Sequence, residues 1–178
     1  MLQNLKFCLV FILCISPAFG ALSSKSQFMR SKKHNPNLLC IAAGDYNILH
    51  TKSSHNTAMI QLEFKGPDFF GEEWVKIRPF AAFLVNFQGS VWGGAGVNFD
   101  LFPNKPLVVT LGIGPGLYAR GNGKNLGYPL EIRSSIEIAY QFKSHARVGF
   151  QFYHLSNASF SSKNPGNECL LLFYGIPL

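Results

Sequence analysis

Tyr128-Pro-Leu-Glu-Ile-Arg-Ser-Ser-Ile-Glu-Ile-Ala-Tyr-Gln-Phe142 is a stretch with two unlike faces. Ile132, Ile136, Ile138, Tyr140 and Phe142 share one parity; Glu131, Arg133, Glu137 and Gln141 share the other. Successive side chains of a β-strand point to opposite sides, so this alternation predicts a strand that is greasy on one face and charged on the other.

The same period runs outward in both directions. Upstream, Leu107, Val109, Leu111, Ile113 and Leu117 alternate with Thr110, Gly112, Gly114 and Gly116 over 106–118. Over 90–101, Val91, Ala95, Val97, Phe99 and Leu101 alternate with Gly94, Gly96, Asn98 and Asp100. Over 74–87, Val75, Ile77, Ala81, Phe83, Val85 and Phe87 alternate with Lys76, Arg78 and Asn86. Over 57–66, Ala58, Ile60, Leu62 and Phe64 alternate with Gln61, Glu63 and Lys65. Downstream, Val148, Phe150 and Phe152 alternate with Arg147, Gly149 and Gln151 over 145–155, and Leu170, Leu172, Tyr174, Ile176 and Leu178 form one face of 167–178. Residues 38–48 read as a less regular first strand. Turn signals punctuate the series, among them Gly66-Pro67-Asp68, Gln88-Gly89-Ser90, Pro103-Asn104-Lys105-Pro106, Gly121-Asn122-Gly123 and Asn164-Pro165-Gly166.

Eight strands of this kind fit two architectures. A soluble sandwich turns its apolar faces inward, whereas a membrane barrel turns them outward and keeps its polar groups inside. Opposite charges on the polar faces (Lys76, Arg78, Asp100, Glu131, Arg133, Glu137) can pair inside a narrow barrel, and the glycines suit a crowded lumen. Several strands are long enough for a tilted span. The expected fold is therefore an all-β, eight-stranded antiparallel outer-membrane β-barrel over 37–178. Alternate apolar residues run to Leu178, as in barrel insertion signals, although the usual terminal aromatic is missing.

Residues 1–20 read as a cleavable signal peptide. Lys6 supplies the basic end, Phe7 to Ile15 the apolar run, and Ala18-Phe19-Gly20 the small-x-small site. The run is too short to span a bilayer comfortably. Residues 21–36, with Lys25, Arg30, Lys32 and Lys33, are expected to be a flexible periplasmic segment. The formal net charge of +7 suggests phosphate or an anionic surface. Export argues against nucleic acid. Cys8 and Cys14 would leave with the signal; Cys40 and Cys169 fall in the first and last strands, where a disulfide is conceivable but ordinary strand cysteines are the simpler reading.

The chemistry gathers in the last hairpin. His154 and Ser156 share the parity of Phe150 and Phe152, and Glu168 shares that of Leu170 and Leu172. All three should project from the lipid-facing side, where charge is costly. A serine hydroxyl needs a base to become a nucleophile, histidine can serve near neutral pH, and a carboxylate can hold the imidazole. Pairing His154 with Glu168 also pairs Phe152 with Leu170 and Phe150 with Leu172, unless a bulge shifts the ladder. His-x-Ser alone is a weak signal. The carboxylate and the shared face strengthen it.

His154-x-Ser156-Asn157-Ala158, followed by Asn164-Pro165-Gly166-Asn167-Glu168, resembles the terminal motif of the lipid A 3-O-deacylases, the PagL family. The strong match covers about the last 25 residues. The resemblance implies a Ser156 nucleophile, a His154 base and a Glu168 orienter, without metal or cofactor. Asn157 and Asn164 match family asparagines that shape the loop or the oxyanion site, and the Ala158 N–H is a further oxyanion candidate. It implies that lipid A of lipopolysaccharide is the substrate, the outer membrane the location with the site facing the outer leaflet, and a homodimer an allowed state. Lys124, Arg120 and Lys163 are candidates to meet lipid A phosphates, or plain loop charges. An outer-membrane phospholipase and a non-enzymatic adhesive or structural barrel stand as alternatives.

Overall fold

The computed structural model describes residues 35–49 and 55–178. The expected signal peptide and most of the N-terminal segment lie outside the described residues.

Nine strands follow in order: β1 (Leu38–Tyr46), β2 (Thr57–Lys65), β3 (Phe70–Gly71), β4 (Val75–Asn86), β5 (Val91–Leu101), β6 (Leu107–Ala119), β7 (Leu130–Gln141), β8 (Arg147–Ser156) and β9 (Asn167–Pro177). The eight long ones meet the limits expected from alternation to within a residue or two. The short β3 pairs only with the start of β4. Every long strand is antiparallel to its chain neighbour, and β1 pairs with β9, so the sheet closes into a ring. Carried round the ring, the registers bring the level of Leu38 back at Ile48, a stagger of ten residues. Such stagger tilts the strands by roughly 40°. A strand of 12 residues, such as β4 or β7, then rises about 30 Å, enough for the apolar band of an outer membrane, about 25 Å tall.

The faces divide as the parity requires. Ile60, Leu62, Phe83, Ile113, Ile138, Phe150 and Leu172 are exposed on the outside. Inside, an ionic network fills the half of the lumen away from the long loops. Lys65 Nζ lies 2.6 Å from Glu137, Arg133 2.8 Å from Glu63, and Arg147 2.9 Å from Asp100. Gln151 and Gln61 join their amides at 2.8 Å between them. Lys76 pairs with Asp68 at 3.3 Å, and Arg78 donates to the carbonyls of Gly66 and Pro36, closing that end. Removing one partner from a buried pair typically costs about 3–5 kcal/mol, because the other charge is stranded.

The opposite half of the lumen is mostly aromatic and aliphatic, with the carboxyl of Glu131 buried beside Trp92. Tyr46, Leu84, Trp92, Tyr153 and Leu155 pack there beneath Leu126, which descends from the β6–β7 loop. Arg133 marks the boundary, with its guanidinium 4.2 Å from the centroid of Phe80. Residues 47–49 and 55–56 and the loops 120–129 and 157–166 lie at this end, while the short turns 102–106 and 142–146 lie at the other. Cys40 and Cys169 are buried and free; Cys40 faces Gly175, whereas Cys169 faces Tyr46 at the far end of the β1–β9 ladder.

Candidate active site

β7, β8 and β9 end side by side beneath the long loops. The β8–β9 register pairs His154 with Glu168, Phe152 with Leu170 and Phe150 with Leu172, with no intervening bulge. Residues directly opposite in an antiparallel pair bring their Cβ atoms within about 5 Å. The His154 Nδ1–H accordingly donates to Glu168 Oε1 at 3.0 Å. The imidazole side chain is 41% exposed and the carboxylate 13% exposed, so one end of the pair is accessible and the other is sheltered. That bond fixes the tautomer that leaves Nε2 as an acceptor. Ser156, half-buried, follows two residues along on the same outward face, roughly 7 Å away between Cα atoms.

The β8–β9 loop holds this pair from above. Asn157 turns inward and is fully buried. Its amide donates to the carbonyls of Lys163 (2.9 Å) and Leu126 (3.1 Å), while its Oδ1 accepts the Ser159 N–H at 3.1 Å. Both amide hydrogens are thereby used, which leaves the Asn157 side chain none for an oxyanion. Its backbone N–H donates to Asn164 Oδ1 at 3.2 Å, which orients the Asn164 amide toward the end of β8. Asn157 O accepts the Phe160 N–H at 2.9 Å across a turn whose central residues, Ala158 (φ 49°) and Ser159 (φ 67°), are both left-handed. Two such residues in succession are unusual outside glycine and mark a backbone held in place by its surroundings. Ala158 itself is exposed.

Gly166 is the residue that sequence reasoning treated only as a turn former. It has φ +64°, and a Cβ built on it would stand 2.5 Å from His154 Cε1 and 3.2 Å from Nε2. The glycine backbone is thus the wall against which the imidazole rests. Gly127 plays the matching part in the neighbouring loop, where a Cβ would overlap the Lys163 carbonyl oxygen. Tyr128 and Phe160 close the two loops together, with ring centroids 6.4 Å apart.

The loop cations divide. Arg120 and Lys163 are exposed. Lys124 is not: its ammonium turns into the barrel mouth and donates to Asn47 Oδ1 at 2.7 Å, and its carbonyl accepts from Tyr118 at 2.7 Å. Burial lowers its pKa below the ordinary lysine value. Neither reading open for Lys124, a phosphate contact or a plain loop charge, describes this inward ammonium; a loop has no period from which an inward turn can be read.

The model of the lipid A 3-O-deacylase (PagL) family matches residues 54–177. The crystal structure of the outer membrane enzyme PagL superposes with a TM-score of 0.65 at 20% identity, covering 79% of this chain and 99% of that one. Neisserial surface protein A (NspA) superposes with a TM-score of 0.54 at 9% identity, covering 83% of this chain and all of the other, 100%. At such identities these two likenesses bear on the barrel fold alone. A search of curated proteins found no match. The family match spans well over half of the sequence and ends beyond the last residue of the site just described, so this β-barrel belongs to the lipid A 3-O-deacylase (PagL) family of outer-membrane hydrolases.

Proposed function

We propose that this chain removes the 3-O-linked 3-hydroxyacyl chain of lipid A with Ser156 as nucleophile, His154 as general base and Glu168 as the group that orients and stabilises the imidazole. The observation that carries the proposal is the 3.0 Å bond between His154 Nδ1 and Glu168 Oε1 on the outer wall, with Ser156 on the same face. Two ionisable groups on a lipid-facing surface are unfavourable for folding, so they call for a use.

In this reading Ser156 Oγ adds to the ester carbonyl carbon while its proton passes to His154 Nε2. The imidazolium formed is stabilised by Glu168, and its proton then goes to the departing sugar oxygen. Water, deprotonated by the same imidazole, cleaves the acyl-enzyme and releases the fatty acid. The Ala158 N–H, which has no acceptor among the described residues, and the Asn164 amide, already oriented by Asn157, are the donors nearest in sequence to the oxyanion. The filled lumen supports approach from the side, by a lipid already in the membrane. The long-loop end then faces outward and the site serves the outer leaflet. Delivery there requires removal of residues 1–20 as a signal, with 21–36 left on the periplasmic side.

Mass spectra of lipid A from cells expressing the wild type and Ser156→Ala test the reading. The wild type should yield lipid A lighter by one 3-hydroxyacyl group, and Ser156→Ala unmodified lipid A with the barrel still folded. Deacylation by the variant, or release of fatty acid from glycerophospholipid alone, would sink it.

A further inference from the structure

Five side chains on the outer wall of the eight long strands are polar, tyrosines aside: Asp45, Ser134, His154, Ser156 and Glu168. Asp45 sits at the loop end of β1. The mechanism above uses three of the others and leaves Ser134. Ser134 lies directly opposite His154 on β7, so Ser134, His154 and Glu168 form one rung across three strands. It is exposed, and its remaining outward neighbours are apolar: Ile132 and Ile136 on its own strand and Ile113 across from it on β6. Its hydroxyl makes no hydrogen bond among the described residues. A hydroxyl on an otherwise apolar, lipid-facing surface is disfavoured unless it finds a hydrogen-bond partner.

The register says what could satisfy it. Ser156 faces Ile132, and Ser134 lies two residues farther from the loop end along β7. Ser134 is therefore the diagonal neighbour of Ser156, about 7–8 Å away between Cα atoms. This diagonal runs from the loops into the apolar band, the direction an acyl chain takes from its ester. An ester carbonyl carbon stands about 3 Å from an attacking oxygen. In a 3-hydroxyacyl chain the hydroxyl is borne by the second carbon beyond that carbonyl. A chain lying against the wall brings it to the height of Ser134, within hydrogen-bond reach of about 2.8 Å.

We propose that Ser134 binds the 3-hydroxyl of the scissile acyl chain and makes this site selective for 3-hydroxyacyl over unsubstituted acyl esters. The proposal rests on the assignment of Ser156 as nucleophile, since it is measured from that atom. It gives Ser134 a binding role, distinct from any action on the imidazole.

The test uses two synthetic lipid A molecules in mixed micelles, one with a 3-hydroxytetradecanoyl and the other with a tetradecanoyl ester at the 3-position. Wild-type barrel should favour the hydroxylated ester by about tenfold in kcat/KM, the scale of one hydrogen bond. Ser134→Ala should bring that ratio to near one, and Ser134→Thr, which keeps a hydroxyl, should restore most of it. Thermal unfolding followed by circular dichroism identifies folded variants. A wild-type ratio near one, a Ser134→Ala ratio equal to that of the wild type, or equal loss on both esters would overturn the proposal. Ser156→Ala is the reference: activity in it toward either ester would overturn the nucleophile assignment and this proposal together. If Ser156→Ala is inactive, failure at Ser134 refutes the selectivity alone.

Discussion

Replacing Gly166 by alanine should disable the site while leaving the barrel folded. The added Cβ would stand 2.5 Å from His154 Cε1, whereas carbon atoms in contact rest about 3.5–4.0 Å apart. The glycine follows a loop segment held by Asn157 through Lys163 and Asn164, so the imidazole has to yield, by about 1 Å. That motion lengthens the 3.0 Å bond to Glu168 and carries Nε2 away from Ser156. A displacement of this size can cost on the order of 10²-fold in rate. Because φ is +64°, alanine also costs about 1–2 kcal/mol of stability. Gly89 separates the two effects: its φ is +78°, but nothing lies within 4 Å of a Cβ there. Gly89→Ala should therefore carry the stability cost alone. The assay is initial deacylation rate on lipid A micelles, with thermal unfolding of each variant. The expected pattern is a fall in kcat with KM nearly constant for Gly166→Ala, and wild-type kcat for Gly89→Ala. A Gly166→Ala enzyme within about threefold of wild-type kcat would refute the idea that this glycine seats the imidazole.

Asn157→Ala strips a donor from two carbonyls, those of Leu126 and Lys163. It should lower stability by about 2–3 kcal/mol and reduce kcat as the loop loosens, with unfolding midpoints and deacylation rates as the readouts. Lys124→Met should leave KM for lipid A unchanged, since the ammonium faces Asn47 inside the mouth; a large rise in KM would restore the outward-reaching role. The same variant reports a pH effect. Burial lowers the Lys124 pKa in the folded state, so unfolding takes up protons, and the wild type gains stability as pH rises toward the ordinary lysine value near 10.4. The melting temperature of the wild type relative to Lys124→Met should climb over that window.

The fold was legible because alternation carries both strand limits and facing. The pairs His154–Glu168, Phe152–Leu170 and Phe150–Leu172 follow from parity and loop symmetry alone, and the register has them all. β3 escaped because two residues are too few to alternate. The role of Gly166 escaped because its contact with His154 depends on how the loop folds back, which turn chemistry alone does not specify. Ser134 was hidden differently. Within β7 it is one small polar residue on an apolar face, and it gains meaning only when the β7–β8 register sets it opposite His154. Cross-strand neighbours of a motif are thus legible only after both registers are known.

The partition of the lumen bears on why the site can stand on the outside at all. A catalytic set on a barrel wall lacks the enclosing shell that usually holds catalytic side chains within tight limits. Here the support comes from behind and above. The strands that carry Ser134, His154 and Glu168 are backed by tightly packed Trp92, Tyr153 and Leu155, and Leu126 anchors the loop layer into the same cluster. The ionic network meets this cluster at Arg133, which lies over Phe80 and pairs with Glu63, while Lys65 and Glu137 hold the strands farther from the loops. A mostly apolar core behind a polar wall reverses the ordinary arrangement of an enzyme pocket. It fits a reaction whose substrate arrives from the surrounding lipid rather than from water.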